Sequence, residues 1–324
     1  MCLYPRLIKN KKYTANKKNG GNVPVFNDIR TLYVPIACGK CIECMQAKSR
    51  EWQVRMNEEI RTDKTGKFIT LTFNEKSLKK LRKIVWENIK ETKDNDEDKK
   101  RRHKILDNEV ATYAVRHFLE RWRKKFKKSI KHWLCTELGH ENTERIHLHG
   151  ILFTNESKET IEKIWEYGII WIGNYVNEKT INYIIKYIHK TDADHPKYTP
   201  KILTSSGIGK NYFDRLDYKR NEYKENETKE SYKYKNGTES SLPIYYRNKI
   251  YTEEERERLW IEKLDKKIRY VCGEKIEVKT EEDKINYMKL LEYYQQKNER
   301  LGYGNGKKEW DKSKYEENLK KIEE

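Results

Sequence analysis

The sequence predicts an α+β fold: a central antiparallel sheet flanked by helices, followed by a mostly helical C-terminal extension. Three observations lead there. Short runs rich in β-branched and aromatic residues, "KFITLTF" (67–73), "HWLCTEL" (132–138) and "RIHLHGILF" (145–153), are interspersed with stretches of helical period. The second and third runs are separated only by a polar turn holding Gly139 and Asn142, which joins them as an antiparallel hairpin. Beyond about residue 215 the hydrophobic content falls and helical patterns take over.

Taken in order, residues 1–48 form a basic, cysteine-rich segment, read as irregular through residue 44 and ending in "ACGKCIEC". A first helix covers "MQAKSREWQVRMNEEIRTD", with Trp52, Met56 and Ile60 at helical spacing. The strand Lys67–Phe73 follows. Residues 92–104, "TKDNDEDKKRRHK", are almost all charged and read as an exposed loop or a helix extension. In "VATYAVRHFLERWRKKFKK", Ala111, Ala114, Val115, Phe118, Trp122 and Phe126 form one apolar stripe. After the hairpin come a short helix near Lys158–Tyr167, a strand Ile169–Tyr175 and a helix near Glu178–Lys190. Residues 49–215 thus make one domain and 216–324 a highly charged helical extension. In the extension, "YTEEERERLWIEKLDKKIRYV" opens on a capping box, Thr252 with Glu255, and "EEDKINYMKLLEYYQQKNER" is a second helix. The last two dozen residues read as frayed.

Seventy basic residues against fifty-two acidic ones give a formal charge of +18, which points to a polyanion as partner. Twenty-three Tyr and eight Trp favour nucleic acid over a membrane surface, because aromatic faces stack on unpaired bases while Lys and Arg meet phosphates. A soluble basic protein from an AT-rich genome is the plainer account of the same composition. No apolar run approaches the ~20 residues that span a bilayer, and "MCLYPRLIKNKKY" lacks a signal-peptide core. The expectation is a bacterial cytoplasm or an equivalent reducing compartment, where six Cys are thiols or metal ligands rather than disulfides.

In a strand, His147 and His149 share one face, while Ile146, Leu148, Gly150 and Leu152 take the other. Two imidazoles ~6–7 Å apart along a strand can converge on one divalent cation, and a mixed nitrogen and oxygen site suits Mn²⁺, Mg²⁺ or Zn²⁺. Glu137, near the end of the neighbouring strand, is the candidate third ligand. The alternative is a pair of ordinary polar residues on a solvated sheet face.

"TINYIIKYIHK" carries the second signal. At helical spacing Ile181, Ile184, Ile185 and Ile188 share one side, and Tyr183, Lys186, Tyr187 and Lys190 the other. The isoleucines dock the helix, and the phenols and ammonium groups face a cleft. Tyrosine is a poor nucleophile at its free pKa of ~10; neighbouring Lys charges and a metal-polarised phosphate make it adequate. The alternative is an amphipathic helix whose Tyr and Lys only meet water.

Together these strings resemble the HUH single-strand endonucleases, with an RRM- or palm-like sheet. They are most similar to the two-tyrosine rolling-circle replication initiators of the Microviridae, small single-stranded DNA phages. "FITLTF" resembles the first family motif, and "CTELG" the carboxylate-bearing strand. "CGKCIEC", "SSGIGKNYF" and "YYRNKIYTEEERERLWIEKLDK" look like the gokushovirus branch. The resemblance covers most of residues 1–270. It implies that His147, His149 and Glu137 hold Mg²⁺ or Mn²⁺ on the scissile phosphate. Tyr183 and Tyr187 would attack in turn, leaving a 3′-hydroxyl and a 5′-phosphotyrosine, with Lys186 and Lys190 steadying the phosphates. The partner implied is a single-stranded DNA origin. No Walker-type loop is present, so unwinding would fall to a host helicase and synthesis to a host polymerase. A plasmid or transposon relaxase or transposase with the same site, and a non-catalytic single-strand binder, remain open.

Cys38, Cys41 and Cys44, spaced C-x₂-C-x₂-C, suggest a structural Zn²⁺ site with Cys2 as fourth ligand; unligated thiols or redox chemistry are the alternative. Cys135 reads as core. The glycine pair in "SSGIGKN" (205–211) is a turn before it is a phosphate loop. His189 receives no role.

Overall fold

The computed structural model describes residues 2–90, 96–139, 144–173, 175–189, 198–304 and 310–323. The chain divides into two compact units, one of residues 52–215, the other of residues 1–51 with 216–324. The second of these begins with β1 (Arg6–Lys9), paired antiparallel with β2 (Tyr33–Ile36). The segment is therefore less irregular than its sequence suggests; four-residue strands are too short to leave a readable alternation.

After α1 (Ile42–Thr62), the elements of residues 52–215 are β3 (Gly66–Leu71), α2 (Glu75–Lys90), α3 (Asp96–Phe126), β4 (Lys131–Leu138), β5 (Ile146–Phe153), α4 (Lys158–Trp165), β6 (Ile170–Ile172), α5 (Glu178–His189) and β7 (Ile202–Thr204). The five strands form one sheet in the order β6-β3-β5-β4-β7, every neighbouring pair antiparallel. This is the predicted α+β architecture. Two elements go beyond the expectation. α2 is half Lys, Arg and Glu, which hides its stripe, yet Leu78, Leu81 and Val85 are buried. β7 is three residues on the sheet edge, held by Thr136, whose hydroxyl accepts from the Lys201 amide (2.8 Å) and from Tyr198 (2.6 Å). The charged stretch from Asp96 is helix extension, since α3 starts there.

Alternation gives the sheet two different faces. Ile69, Leu71, Leu134, Ile146, Leu148 and Leu152 form one core with the inner stripes of α2, α3 and α4. The opposite face carries His147, His149, Trp133 and Ile151. α1 and α5 pack there: Trp52 of α1 meets Trp133 edge-on at 5.9 Å between centroids, and α5 lies against β4.

In the other unit, β8 (Ser231–Lys233) pairs with β9 (Glu239–Ser241), and β10 (Ile268–Val271) with β11 (Glu274–Glu277). The helices are α6 (Ile244–Ile250), α7 (Glu253–Asp265), α8 (Glu281–Arg300) and α9 (Lys312–Glu323). The capping box of Thr252 and Glu255 is present in both directions. The C-terminal residues correct the expectation of fraying. Tyr315 is buried, Trp310 packs edge-on against Tyr4, and Asn318 Nδ2 donates to the Leu7 carbonyl; a few aromatic anchors outweigh a charged composition. Among the described residues no helix is long and apolar enough to cross a membrane.

Gly150 lies opposite Leu134 and Ile69 in the middle of the sheet. A Cβ there would come 2.0 Å from the Trp133 carbonyl oxygen and 2.8 Å from Leu134 Cα. Gly150→Ala is expected to lower stability by ~1–3 kcal/mol or more, as overpacking does. Urea denaturation measures it; a change within ~0.5 kcal/mol, the surface-substitution range, would show that β4 and β5 separate there freely.

Candidate active site

The register of β4 and β5 sets Glu137 directly opposite His147 and Cys135 opposite His149, while β3 sets Thr70 opposite His149 on the other side. Three side chains therefore converge on one spot. Glu137 Oε2 lies 3.2 Å from His147 Nε2 and 3.0 Å from His149 Nε2. Each ring is aimed by its other nitrogen. His147 Nδ1 donates to the Arg145 carbonyl at 3.2 Å, and His149 Nδ1 is 3.0 Å from Thr70 Oγ1.

This has an electrostatic consequence. The Arg145 carbonyl only accepts, so the proton of a neutral His147 sits on Nδ1 and its Nε2 presents a lone pair. That lone pair faces a carboxylate oxygen, and two acceptors at such a distance need a proton or a cation between them. An octahedral ion with donors at ~2.1 Å holds neighbouring donors ~3.0 Å apart, close to the separations found. The residues thus fit a divalent cation, held by a mixed nitrogen and oxygen donor set of two imidazoles and one carboxylate. A cavity of about 670 Å³, lined by Thr72, Asn74, Gly139 and Arg145 among others, opens beside Glu137 and His147.

α5 brings in the phenols. Thr180 donates its amide to the Asn177 side chain at the helix start (3.0 Å), and Ile181, Ile184, Ile185 and Ile188 are all buried. The Tyr187 ring stacks on His149, centroids 4.6 Å apart and planes 7° from parallel. Its hydroxyl donates to the Tyr183 hydroxyl at 2.6 Å. Lys186 Nζ stands 4.0 Å from the centre of the Tyr183 ring.

The two phenols are not equally presented: Tyr183 is 45% exposed and Tyr187 only 6%. Tyr187 lies only about 60° around the helix from Ile184, so it is drawn into the buried side where His149 receives it. Burial pushes its phenol above the ordinary tyrosine range, and the bond with Tyr183 and the charge of Glu137 push the same way. Lys190 lies outside the described residues.

The structure adds residues that the sequence reading passed over. Thr70 orients His149. Phe68 lies two residues before Thr70 on the same face, parallel to His149 at 6.2 Å and edge-on to Tyr183 at 5.9 Å. The exposed Trp171, opposite Thr70 on β6, packs against Phe68 at 5.5 Å. The period-2 pattern of "KFITLTF" carried the signal for Phe68 and Thr70; Trp171 needed the pairing of β6.

Other candidates fall elsewhere. Gly207 and Gly209 have φ of +79° and +77°, so the segment is a turn, and the Gly209 amide already donates to the buried Glu59 carboxylate at 2.6 Å. Cys135 is buried in β4. Cys2, Cys38, Cys41 and Cys44 come together in the other unit, their sulfurs within 4.8 Å of one another.

Residues 66–192, which hold this whole constellation, match the family model of the replication-associated protein ORF2 type. Through this segment the chain is similar to that family. Among similar proteins, Replication-associated protein ORF4 of Chlamydia phage 1 is 22% identical over 58% of this chain and 48% of that protein. Replication-associated protein VP4 of Bdellovibrio phage phiMH2K is 24% identical over 77% of each chain. The chain spans about half the length of the first of these relatives. No solved structure matches it.

Titration with Mn²⁺, followed by electron paramagnetic resonance, is expected to find a site that Glu137→Ala abolishes. Thr70→Val should weaken that site ~10-fold, the scale of losing a group that orients a ligand. Unchanged affinity in both variants would separate these residues from any cation site.

Proposed function

We propose that the protein is a site-specific single-strand DNA endonuclease and strand-joining enzyme that initiates rolling-circle replication of a phage genome. The observation that carries this reading is the stacking of Tyr187 on His149, which sets a linked pair of phenols against the Glu137, His147 and His149 donors. The match of residues 66–192 to a replication-associated family model supports it. So does the charge of +18, which suits a polyanionic substrate.

The chemistry follows from the residues. Trp171 and Phe68 offer aromatic faces on which unpaired bases can stack beside the site. Glu137, His147 and His149 would hold a divalent cation, which would supply charge neutralisation and polarisation at the scissile phosphate. Tyr183 is the better placed first nucleophile. It is exposed, its oxygen accepts the Tyr187 hydroxyl hydrogen bond, and Lys186 Nζ stands over its ring, in reach of a phosphate bound there. The phenolic proton leaves to solvent. The Tyr183 oxygen forms a bond to phosphorus as the bond to the 3′-oxygen breaks; the leaving oxygen takes a proton from solvent, giving a free 3′-hydroxyl and a 5′-phosphotyrosine. The linkage keeps the energy of the phosphodiester. Tyr187, one turn away, is the nucleophile for the second cut, after which the released 3′-hydroxyl attacks the first phosphotyrosine and closes the circle. Host helicase and polymerase would supply unwinding and synthesis.

The test uses single-stranded oligonucleotides tiling the encoding genome, incubated with the full chain and Mn²⁺ or Mg²⁺. One sequence is expected to give a covalent adduct that EDTA prevents and that the double variant Tyr183→Phe/Tyr187→Phe cannot form. Tyr183→Phe alone should reduce first-adduct yield by ~10²-fold or more, the scale of losing a nucleophile. Tyr187→Phe should still form the adduct but fail to close circles. Salt-dependent binding with no adduct on any oligonucleotide would make this a non-catalytic single-strand binding protein instead.

Trp171→Ala is expected to weaken oligonucleotide binding by ~1–3 kcal/mol, the worth of one base–aromatic stack. Fluorescence anisotropy at fixed salt measures it; an unchanged affinity would remove Trp171 from the DNA path.

A further inference from the structure

The second cluster of metal-ligating side chains owes nothing to the nicking chemistry. We propose that Cys2, Cys38, Cys41 and Cys44 hold a structural zinc ion, and that this ion fastens the N-terminal end of the chain to the segment that starts α1, at a junction packed on helix α8.

The spacing of the sulfurs is the first argument. A tetrahedral zinc with Zn–S bonds of ~2.3 Å places its ligand sulfurs ~3.8 Å apart. Cys41 and Cys44 Sγ are 3.4 Å apart, Cys38 and Cys44 3.9 Å, and Cys2 and Cys41 4.0 Å. Three of the six sulfur pairs thus lie near the edge length of one coordination tetrahedron, and all six within 4.8 Å.

The second argument is the set of amides aimed at those sulfurs. Cys2 Sγ accepts from the amides of Tyr4 (3.3 Å) and Cys38 (3.1 Å). Cys38 Sγ accepts from Lys40 (3.4 Å) and Cys41 (3.3 Å), and Cys41 Sγ from Leu3 (3.5 Å). Neutral thiols are weak acceptors and need no such company, whereas thiolates on a metal carry negative charge that amide donors offset. Gly39, at φ +72°, makes the turn that points the Lys40 and Cys41 amides back at Cys38; a side chain there would be strained.

The surroundings are those of a structural site. Cys41 is fully buried, in a cluster with Leu3, Tyr4, Val271, Tyr287 and Leu291. Polar bonds close the same junction: the Gln295 side chain donates to the Leu3 carbonyl at 2.6 Å, and the Ile42 amide to the Asn298 side chain at 2.8 Å. All four ligand positions are filled by protein, which leaves no open position for substrate and separates this site in kind from a catalytic one. Zinc binding here displaces thiol protons and transfers no electrons.

The experiment is metal analysis of the purified full chain. One equivalent of zinc per chain is expected, retained through dialysis against EDTA at a concentration that strips the nicking cation. Replacement by Co²⁺ should give the visible absorption of a tetrahedral thiolate site. Removal of the metal with a stronger chelator should lower the melting temperature and expose four thiols to a sulfhydryl reagent. Cys41→Ser should lose the metal, and Cys38→His, which keeps a zinc ligand, should retain it even if Cys41→Ser fails to fold. Cys135→Ser should leave the zinc content unchanged. Zinc-free chain with unchanged melting, bound iron, or disulfides among the four residues would overturn the proposal. Loss of zinc with nicking intact on an origin oligonucleotide would still support it, because the two sites share no residue.

Discussion

The candidate active site depends on the pairing of β4 with β5. Their register places Glu137 opposite His147, and strand alternation does the rest. Slipping either strand by one residue would turn its side chains to the other face, sending the imidazoles into the apolar core or Glu137 out of reach. The register is held by the core side, where Leu134, Leu138, Ile146, Leu148 and Leu152 bury themselves against α2, α3 and α4. Burial on one face thus sets the geometry of the donors on the other. Gly150 adds a steric condition, since the two strands approach too closely there for any side chain.

The phenols are coupled to the donors by packing. α5 is fixed by its buried isoleucines, and the last contact of that packed side is the ring of Tyr187 on His149. The same ring hands its hydroxyl to Tyr183. A short chain of contacts therefore runs from Thr70 through His149 and Tyr187 to the exposed Tyr183. Phe68 braces it from beside the sheet. A change at Thr70 reaches the phenols through the positions of the His149 and Tyr187 rings.

Much of this was legible in the sequence because it rests on short-range periodicity. His147 and His149 share a face in any strand, Glu137 lies near the hairpin turn, and Tyr183 and Tyr187 are neighbours on any helix. What the sequence hid depends on partners distant in the chain. The burial of Tyr187 needed His149 as a neighbour, and Trp171 joins the site only through the pairing of β6 with β3. α2 was masked by its charged outer face. The β1–β2 hairpin was too short to leave a pattern, and α9 was read as frayed because two aromatic anchors carry little weight in a composition. The four cysteines were legible as a group; the amides and apolar side chains around them were not.

The central claim is that the imidazole pair, Glu137 and the phenols act on one phosphodiester. Pulsed electron–nuclear resonance of Mn²⁺ added to the Tyr183→Phe/Tyr187→Phe chain, which is expected to bind without cutting, tests it directly. The account predicts nitrogen couplings from two imidazoles, and a phosphorus coupling that appears when the origin oligonucleotide is added. Mn²⁺ without nitrogen couplings, or with no phosphorus coupling when the oligonucleotide is bound, would contradict it.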